Sequence, residues 1–362
     1  MKAAVYRSFG GPIIIENVPK PVAPPGGVLL KVKATGVCRS DWHGWKGHDS
    51  DIVEHGLPFV PGHEVSGVVV ELGTGTRSVN IGDRVAVPFI LSCGSCYACC
   101  DLNRPTVCND QNQPGFTQWG SFAEYLAVPR ADRNLRVIPP EVSFIEAAAL
   151  GCRFTTAYRA VMQQGRLKSS DTLAVFGCGG LGLSCIMLAA SNGNENIIAA
   201  DVSEDALAKA KELGATHTIH ILPQDTNDQV QKQVLQLTAH TDGADVTVDA
   251  AGFASSCENA IWCTRRAGRM VQVGLPIGGP SPIVPMGLIA AKEIEIIGSH
   301  GFEADTLPEL LKLVADQKLK PAELVERIVT LEEGARAIQT MDQGSPLGMT
   351  VVEQFNEIKC RL

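Results

Sequence analysis

Apolar positions in the first 150 residues come in short β-branched runs broken by glycine and proline: GGVLLKVKATGVC, HEVSGVVVELGT and GDRVAVPFI. Such runs, bounded by turn residues, predict strands, and their irregular spacing predicts a β-rich domain with functional loops. The opening stretch MKAAVYRSFGGPIIIENVPK alternates in the same way and has neither a charged-then-apolar leader nor a cleavage site. From Thr172 the texture changes. TLAVFG predicts an apolar strand, GLGLSCIMLAAS a helix with an apolar face, and NIIAAD a second strand. The helix SEDALAKAKELG follows, with Ser203 and Asp205 suited to its first turn. THTIHI, ADVTVDAAG, GRMVQVG and EIEIIGS continue as strands, with helical segments between several of them. Strands of this kind alternating with amphipathic helices predict an α/β fold with a doubly wound parallel sheet. The last stretch reads as two helices, FEADTLPELLKLVADQ and LEEGARAIQTM, closed by the strand MTVVEQF, which is free to return to the first domain.

A length of 362 residues suits about two domains. The net charge of −8, without a block of Lys or Arg, argues against nucleic acid or an anionic membrane as the main partner. No apolar run reaches the roughly 18 residues that span a bilayer. These features predict a cytoplasmic protein, where thiols stay reduced, so twelve cysteines point to metal or catalysis rather than disulfides.

Gly177-Cys178-Gly179-Gly180-Leu181-Gly182 lies between the strand TLAVFG and its helix, and Asp201 closes the next strand nineteen positions later. In that context the glycines predict a dinucleotide site. Gly177 permits the tight turn, Gly179 lets the backbone approach a pyrophosphate at the helix N-terminus, and Gly182 allows close helix–strand contact. Asp201 would accept from both ribose hydroxyls and repel a 2′-phosphate, which favours NAD over NADP.

Three further segments carry candidate ligands: GVCRSDWH with Cys38, PGHE with His63 and Glu64, and GCRFTTAY with Cys152, expected to open the first helix after Pro139-Pro140. Each alone is ordinary. In order along the chain, with CGSCYACC, GCGGLG and AADVS, they resemble the zinc-dependent medium-chain alcohol dehydrogenases, and the likeness covers essentially the whole chain. The resemblance implies a Rossmann dinucleotide-binding domain at 152–299. Residues 1–151 with 300–362 would form an irregular, β-rich GroES-like catalytic domain carrying a zinc lobe at about 91–110.

It further implies a catalytic zinc on Cys38, His63 and Cys152, with Glu64 behind it as a transient ligand and Asp41 orienting His63. In the implied reaction zinc acidifies the alcohol, hydride passes to the nicotinamide, and the proton leaves through Ser40, the ribose and His43. Arg39 would meet the pyrophosphate, Thr156 the nicotinamide face and Val273 the carboxamide. The pocket walls would include Phe89, Leu275 and either Trp42 or Trp119. They are mostly apolar, which suits primary alcohols and aldehydes, aromatic ones included, over sugars. Two positions depart from the family at the far side of the cofactor. Ala206 stands where a basic residue is common, and Met349 where an Arg often lies in the last strand.

The resemblance also implies a second, structural zinc held by Cys93, Cys96, a third thiol and Cys108. The repeated two-residue spacing favours Cys99 as that third ligand, whereas the family's usual seven-residue gap before the fourth cysteine favours Cys100. A homotetramer is expected, because the chain lacks the extra loop of dimeric animal and plant enzymes near 115–140. Rival readings are a non-catalytic zinc-stabilised redox sensor switching at Cys99 or Cys100, and an NADP-linked reductase. The sensor would not need Ser40 and His43 in relay positions.

Overall fold

The computed structural model describes residues 1–276, 279–344 and 347–355. The chain forms two compact units, Met1–Thr155 with Gly301–Leu362, and Thr156–His300. The division falls after Thr155 rather than after Gly151, so Cys152 belongs to the same unit as Cys38 and His63.

In chain order the first unit begins with β1 (Lys2–Tyr6), β2 (Ile13–Asn17), β3 (Val28–Val37), β4 (Glu64–Leu72), β5 (Arg84–Val87), β6 (Tyr125–Val128) and β7 (Arg136–Val137). The second unit holds β8 (Leu173–Phe176), β9 (Ile197–Asp201), β10 (His217–His220), β11 (Ala244–Asp249), β12 (Thr264–Gln272) and β13 (Glu295–Gly298). The chain then returns to the first unit with β14 (Val325–Thr330) and β15 (Met349–Gln354).

The second unit's sheet runs β10-β9-β8-β11-β12-β13, with every pairing parallel. Counted from β8, that is the 3-2-1-4-5-6 order of a dinucleotide-binding sheet, whose strand order reverses between β8 and β11. Both of those strands are buried at every residue, as strands covered on two faces must be. The helix Gly180–Ser191 that follows β8 is buried continuously from Gly182 to Ala189. It is therefore apolar all round rather than on one face, as befits a helix packed inside its unit. The helix Glu204–Glu212 after β9 starts where Ser203 Oγ accepts from the Ala206 amide at 3.3 Å.

The first unit is organised around β3. It pairs antiparallel with β4 on one side, and with β6 and β15 along the other. Its sheet runs β14-β15-β3-β4-β5-β7, and β1 with β2 forms a separate hairpin ribbon. The helix Phe144–Ala149 packs on β3 and β4, opened by a capping box in which Ser143 and Glu146 satisfy each other's amides. This helix continues into a π-helical turn, Leu150–Phe154. Cys152 thus sits inside a widened turn and does not open a helix. Single π turns of this kind recur at functional sites.

Candidate metal centres and dinucleotide loop

At the end of β3 the chain leaves the sheet at Cys38, which is extended (φ −115°, ψ 154°) and caps the short helix Arg39–Trp45. One turn in, Asp41 folds back. Its Oδ2 accepts from the Cys38 amide at 2.9 Å, and its Oδ1 accepts from the Gly62 amide at 3.0 Å and from His63 Nδ1 at 2.9 Å. One buried carboxylate therefore ties together the two segments that present Cys38 and His63. His63 donates from Nδ1, so Nε2 is the ring nitrogen left for the cluster, and that buried atom has no hydrogen-bond partner. The donor atoms of Cys38, His63, Glu64 and Cys152 all lie within 4.8 Å of one another.

The electrostatics of this cluster favour a cation. The hydrogen bond from Cys152, aided by His63, holds the Cys38 thiol well below its ordinary range, and the same contact with burial pushes Cys152 well up. Burial opposes a charge on His63, but Asp41 and Cys38 outweigh it and raise its pKa well above the usual imidazole value. Two sulfurs and one orphaned imidazole nitrogen around a common point are a donor set that fits zinc with one position left open. The Phe116 and Phe89 rings stand 5.1 and 5.9 Å from the His63 ring and keep that side apolar.

Glu64 opens β4 directly behind the cluster and is fully buried. A Cβ on Gly36 would fall 1.9 Å from Glu64 Oε2, and one on Gly151 would fall 2.8 Å from Glu64 Cα, so both glycines are needed to house it. Burial pushes its carboxyl up to about 8, with Arg153 the largest opposing influence. Arg153 Nε lies 3.3 Å from Glu64 Oε1, a charge contact without hydrogen-bond geometry.

The neighbouring residues of the first helix are placed as follows. Ser40 is half-buried, with its Oγ 3.8 Å from Cys38 Sγ. His43 is half-buried too, and its Nδ1 faces His48 Nδ1 at 3.3 Å. The Trp42 ring lies edge-on to both imidazoles. Arg39 is exposed, stacks 3.9 Å over Trp42, and donates to the Met341 carbonyl at 2.9 Å.

In the cysteine lobe, the sulfurs of Cys93, Cys96, Cys99 and Cys108 also lie within 4.8 Å of one another. The closest pairs are Cys96–Cys99 at 3.6 Å and Cys96–Cys108 at 3.7 Å. Amides of Ser95 and Cys96 donate to Cys93 Sγ at 3.4 and 3.3 Å, and Ser95 is the main reason its pKa is lowered to about 6. Cys100 is outside this group: it is exposed, and its thiol donates to the Gly94 carbonyl. The short helix Tyr97–Cys100 turns consecutive residues by about 100°, so only one of Cys99 and Cys100 can face inward.

In the second unit, Gly177 has φ +97°, and a Cβ there would strike Ala251 at 2.6 Å. A Cβ on Gly182 would fall 1.8 Å from the Gly177 carbonyl oxygen. At Gly179, which caps the helix, an added Cβ meets nothing within 4 Å. Gly180 and Leu181, partly exposed, form the helix's first turn. Asp201 ends β9, and its carboxylate accepts from the Cys178 amide at 2.6 Å and the Ser203 amide at 2.8 Å. Val273 follows β12 and donates its amide to the Asp249 carbonyl. Thr156 is buried, and its Oγ1 has no hydrogen-bond partner.

Of the expected pocket walls, Phe89 stands beside the His63 ring, and two others are found as follows. Trp119 donates to the Pro58 carbonyl and lines a separate groove of about 500 Å³ with Met1, Pro19, Val60 and Tyr125, which contains no cluster residue. Leu275 is 68% exposed and belongs to the second unit. Three residues near the first cluster escaped the sequence reading: Arg153, His48 and Phe116. Only Arg153 left a signal, as a lone charge inside the apolar run ALGCRFTTAY.

Known proteins match the chain along most of its length. Residues 24–139 match the alcohol dehydrogenase GroES-like domain, and residues 180–316 match the zinc-binding dehydrogenase model. An alcohol dehydrogenase of Geobacillus stearothermophilus is 35% identical over 322 residues, 88% of this chain and 90% of its own. The crystal structure of an NAD-dependent alcohol dehydrogenase superposes with a TM-score of 0.86 at 31% identity, covering 98% of this chain and 100% of that one. A zinc-binding dehydrogenase from Sinorhizobium meliloti 1021, solved with NADP bound, gives 0.85 at 26% identity, covering 97% and 98%. With both domain models in order and a relative of that identity along most of its length, the chain belongs to the zinc-dependent medium-chain dehydrogenase/reductase family.

Proposed function

We propose that the protein interconverts alcohols and aldehydes or ketones, with primary and aromatic alcohols as the favoured class, using NAD and two zinc ions per chain. The observation that carries this reading is the orphaned His63 Nε2, fixed by Asp41 and gathered with the buried Cys38 thiol and the half-buried Cys152 thiol. Cys38, His63 and Cys152 would hold the catalytic zinc, and Cys93, Cys96, Cys99 and Cys108 the structural one. When bound, the catalytic zinc supplies a Lewis acid that polarises the substrate oxygen.

The chain's own groups do the rest. Asp41 keeps His63 in the tautomer that exposes Nε2 and locks the Cys38 turn. Ser40 Oγ, beside Cys38, would take the substrate hydroxyl proton while releasing its own into a relay that ends at the half-buried His43 and solvent. The aromatic rings around His63 limit water and select an apolar substrate body. Gly179 leaves its side of the loop open to a pyrophosphate, and Asp201 supplies the acceptor for the ribose diol. We further propose a cytoplasmic homotetramer, to be tested by light scattering of the purified protein.

The discriminating experiment is a panel of alcohols and aldehydes assayed with NAD and NADP at the nicotinamide absorbance. A preference for NAD and for apolar primary substrates is expected. Asp201→Gly should narrow the gap between cofactors, since the carboxylate no longer repels a 2′-phosphate. Equal turnover with both cofactors in the unmodified protein would reject the role given to Asp201 and favour the NADP-linked reading, for which the NADP-bound neighbour is the precedent.

A further inference from the structure

Arg153 has no task in the mechanism above, yet a buried cation is costly unless it is paired. Its side chain is 10% exposed, its Nε stands 3.3 Å from Glu64 Oε1, and its Nη2 donates to the carbonyl of Val37, the residue before Cys38. A guanidinium is a rigid planar fork that can hold two acceptors at once, which a lysine ammonium cannot do with the same geometry. Cys152 and Arg153 are consecutive in the π-helical turn, and both reach the cluster.

Glu64 is the partner at issue. Neither of its oxygens has a hydrogen-bond partner, and one lies within 4.8 Å of the donor atoms of Cys38, His63 and Cys152. Backbone closes on it at Gly36 and Gly151, so it cannot withdraw. A carboxylate so placed would become the fourth ligand of a zinc ion unless another group held it. The arginine offsets one of the negative charges that two thiolates and the Glu64 carboxylate would gather around a divalent ion.

We propose that Arg153 sets the coordination number of the catalytic centre. Anchored on the Val37 carbonyl, its guanidinium holds the Glu64 carboxylate outside the metal's sphere and keeps the fourth position open to substrate. The proposal rests on the zinc reading above, and in it Arg153 is a positioning residue.

The test is imidazole binding to the cobalt(II)-substituted protein, followed through the visible ligand-field bands without any turnover. The four-cysteine centre has no open position and contributes a constant background. The unmodified protein should show a saturable band shift. Arg153→Met should bind imidazole roughly 10-fold or more weakly, a change on the scale that outer partners of metal sites produce. Adding Glu64→Gln to Arg153→Met should restore the response, because no carboxylate remains to close the site. Wild-type imidazole affinity in Arg153→Met, or no recovery in the double variant, overturns the proposal. Should Arg153→Met not fold, Arg153→Lys gives the same test: affinity several-fold weaker supports the bridging role, and unchanged affinity overturns it. An unmodified protein whose bands ignore imidazole defeats the open-zinc reading itself, a separate failure.

Discussion

Gly179 and Gly182 stand three residues apart at the start of one helix, and the surrounding atoms assign them opposite costs. At Gly182 an added methyl would sit 1.8 Å from the Gly177 carbonyl oxygen and 3.2 Å from Val175 Cγ1. The nearer atom is backbone, so no rotamer relieves the clash. To bring 1.8 Å out to a tolerable 3.0 Å, the helix and the turn must part by more than 1 Å. Overpacking of that kind costs about 1–3 kcal/mol, and a rigid backbone contact belongs at the upper end. For a unit of this size about 3 kcal/mol lowers Tm by roughly 6–12 °C. Gly179 is different. Its φ of −73° suits any residue, and an added Cβ meets nothing within 4 Å. Gly179→Ala should therefore lose only the preference of an N-cap for glycine over alanine, about 1 kcal/mol or less. What the methyl does occupy is the approach to the helix N-terminus, where a pyrophosphate would rest. NAD affinity should fall roughly 10-fold or more, the equivalent of about 1.4 kcal/mol. Differential scanning fluorimetry and a fluorescence titration with NADH separate the two effects. A Gly182→Ala protein with unchanged Tm would refute the packing argument. A Gly179→Ala protein that binds NADH normally would refute the placement of the pyrophosphate.

Further outcomes follow from the two metal clusters and the relay. Elemental analysis should find two zinc ions per chain, with one lost in Cys99→Ser and none in Cys100→Ser; the reverse would place the third ligand one residue on. Ser40→Ala should nearly abolish alcohol oxidation while both zinc ions and NADH binding persist, and normal oxidation would mean that the proton leaves by another route. Burial, with Arg39 and His48 nearby, lowers the pKa of His43 below the ordinary 6.5. Folded protein therefore resists protonation there while unfolded chain does not, so this residue's contribution is present above about pH 6.5 and is lost as pH falls through and below it. His43→Gln should flatten the decline in stability between about pH 6.5 and 5, measured by urea unfolding at several pH values; an unchanged slope would exclude His43 as its source.

The second unit was legible because its signals are local. Strand-length apolar runs such as TLAVFG, helix-length segments between them, and glycines at the first turn all act within a few residues of one another. The first cluster was legible by resemblance of its motifs, and the structure does bring Cys38, His63 and Cys152 together. Most of what stayed hidden depends on geometry that local pattern does not encode. Cys152 was expected at a helix start, whereas the helix begins at Phe144 behind the Ser143–Glu146 capping box, a local signal the reading passed over; the π turn that follows leaves no periodic mark. The choice between Cys99 and Cys100 turns on helical phase within four residues, too short for periodicity to fix. Trp119 was expected near the substrate by resemblance alone; its indole N–H donates to Pro58 and its ring lines a groove that holds no cluster residue. His48 reaches His43 only because the chain turns just after the first helix.

The return of β15 to β3 has a consequence for how the protein is made on the ribosome. The strand that presents Cys38 exposes part of one edge until Thr350, Val351 and Val352 pair with Val37, Gly36 and Thr35. Those partners are synthesised after the entire second unit. At translation speeds of about 5–20 residues per second, the delay is on the order of 15–60 s. During that interval the second unit can finish folding on the nascent chain, while the metal-site sheet waits with unpaired amides and carbonyls. An open edge is the part of a sheet most prone to pairing with a neighbour. Slow synthesis or an early stop before residue 349 would therefore act first on the metal-binding half of the molecule and leave the nucleotide half intact.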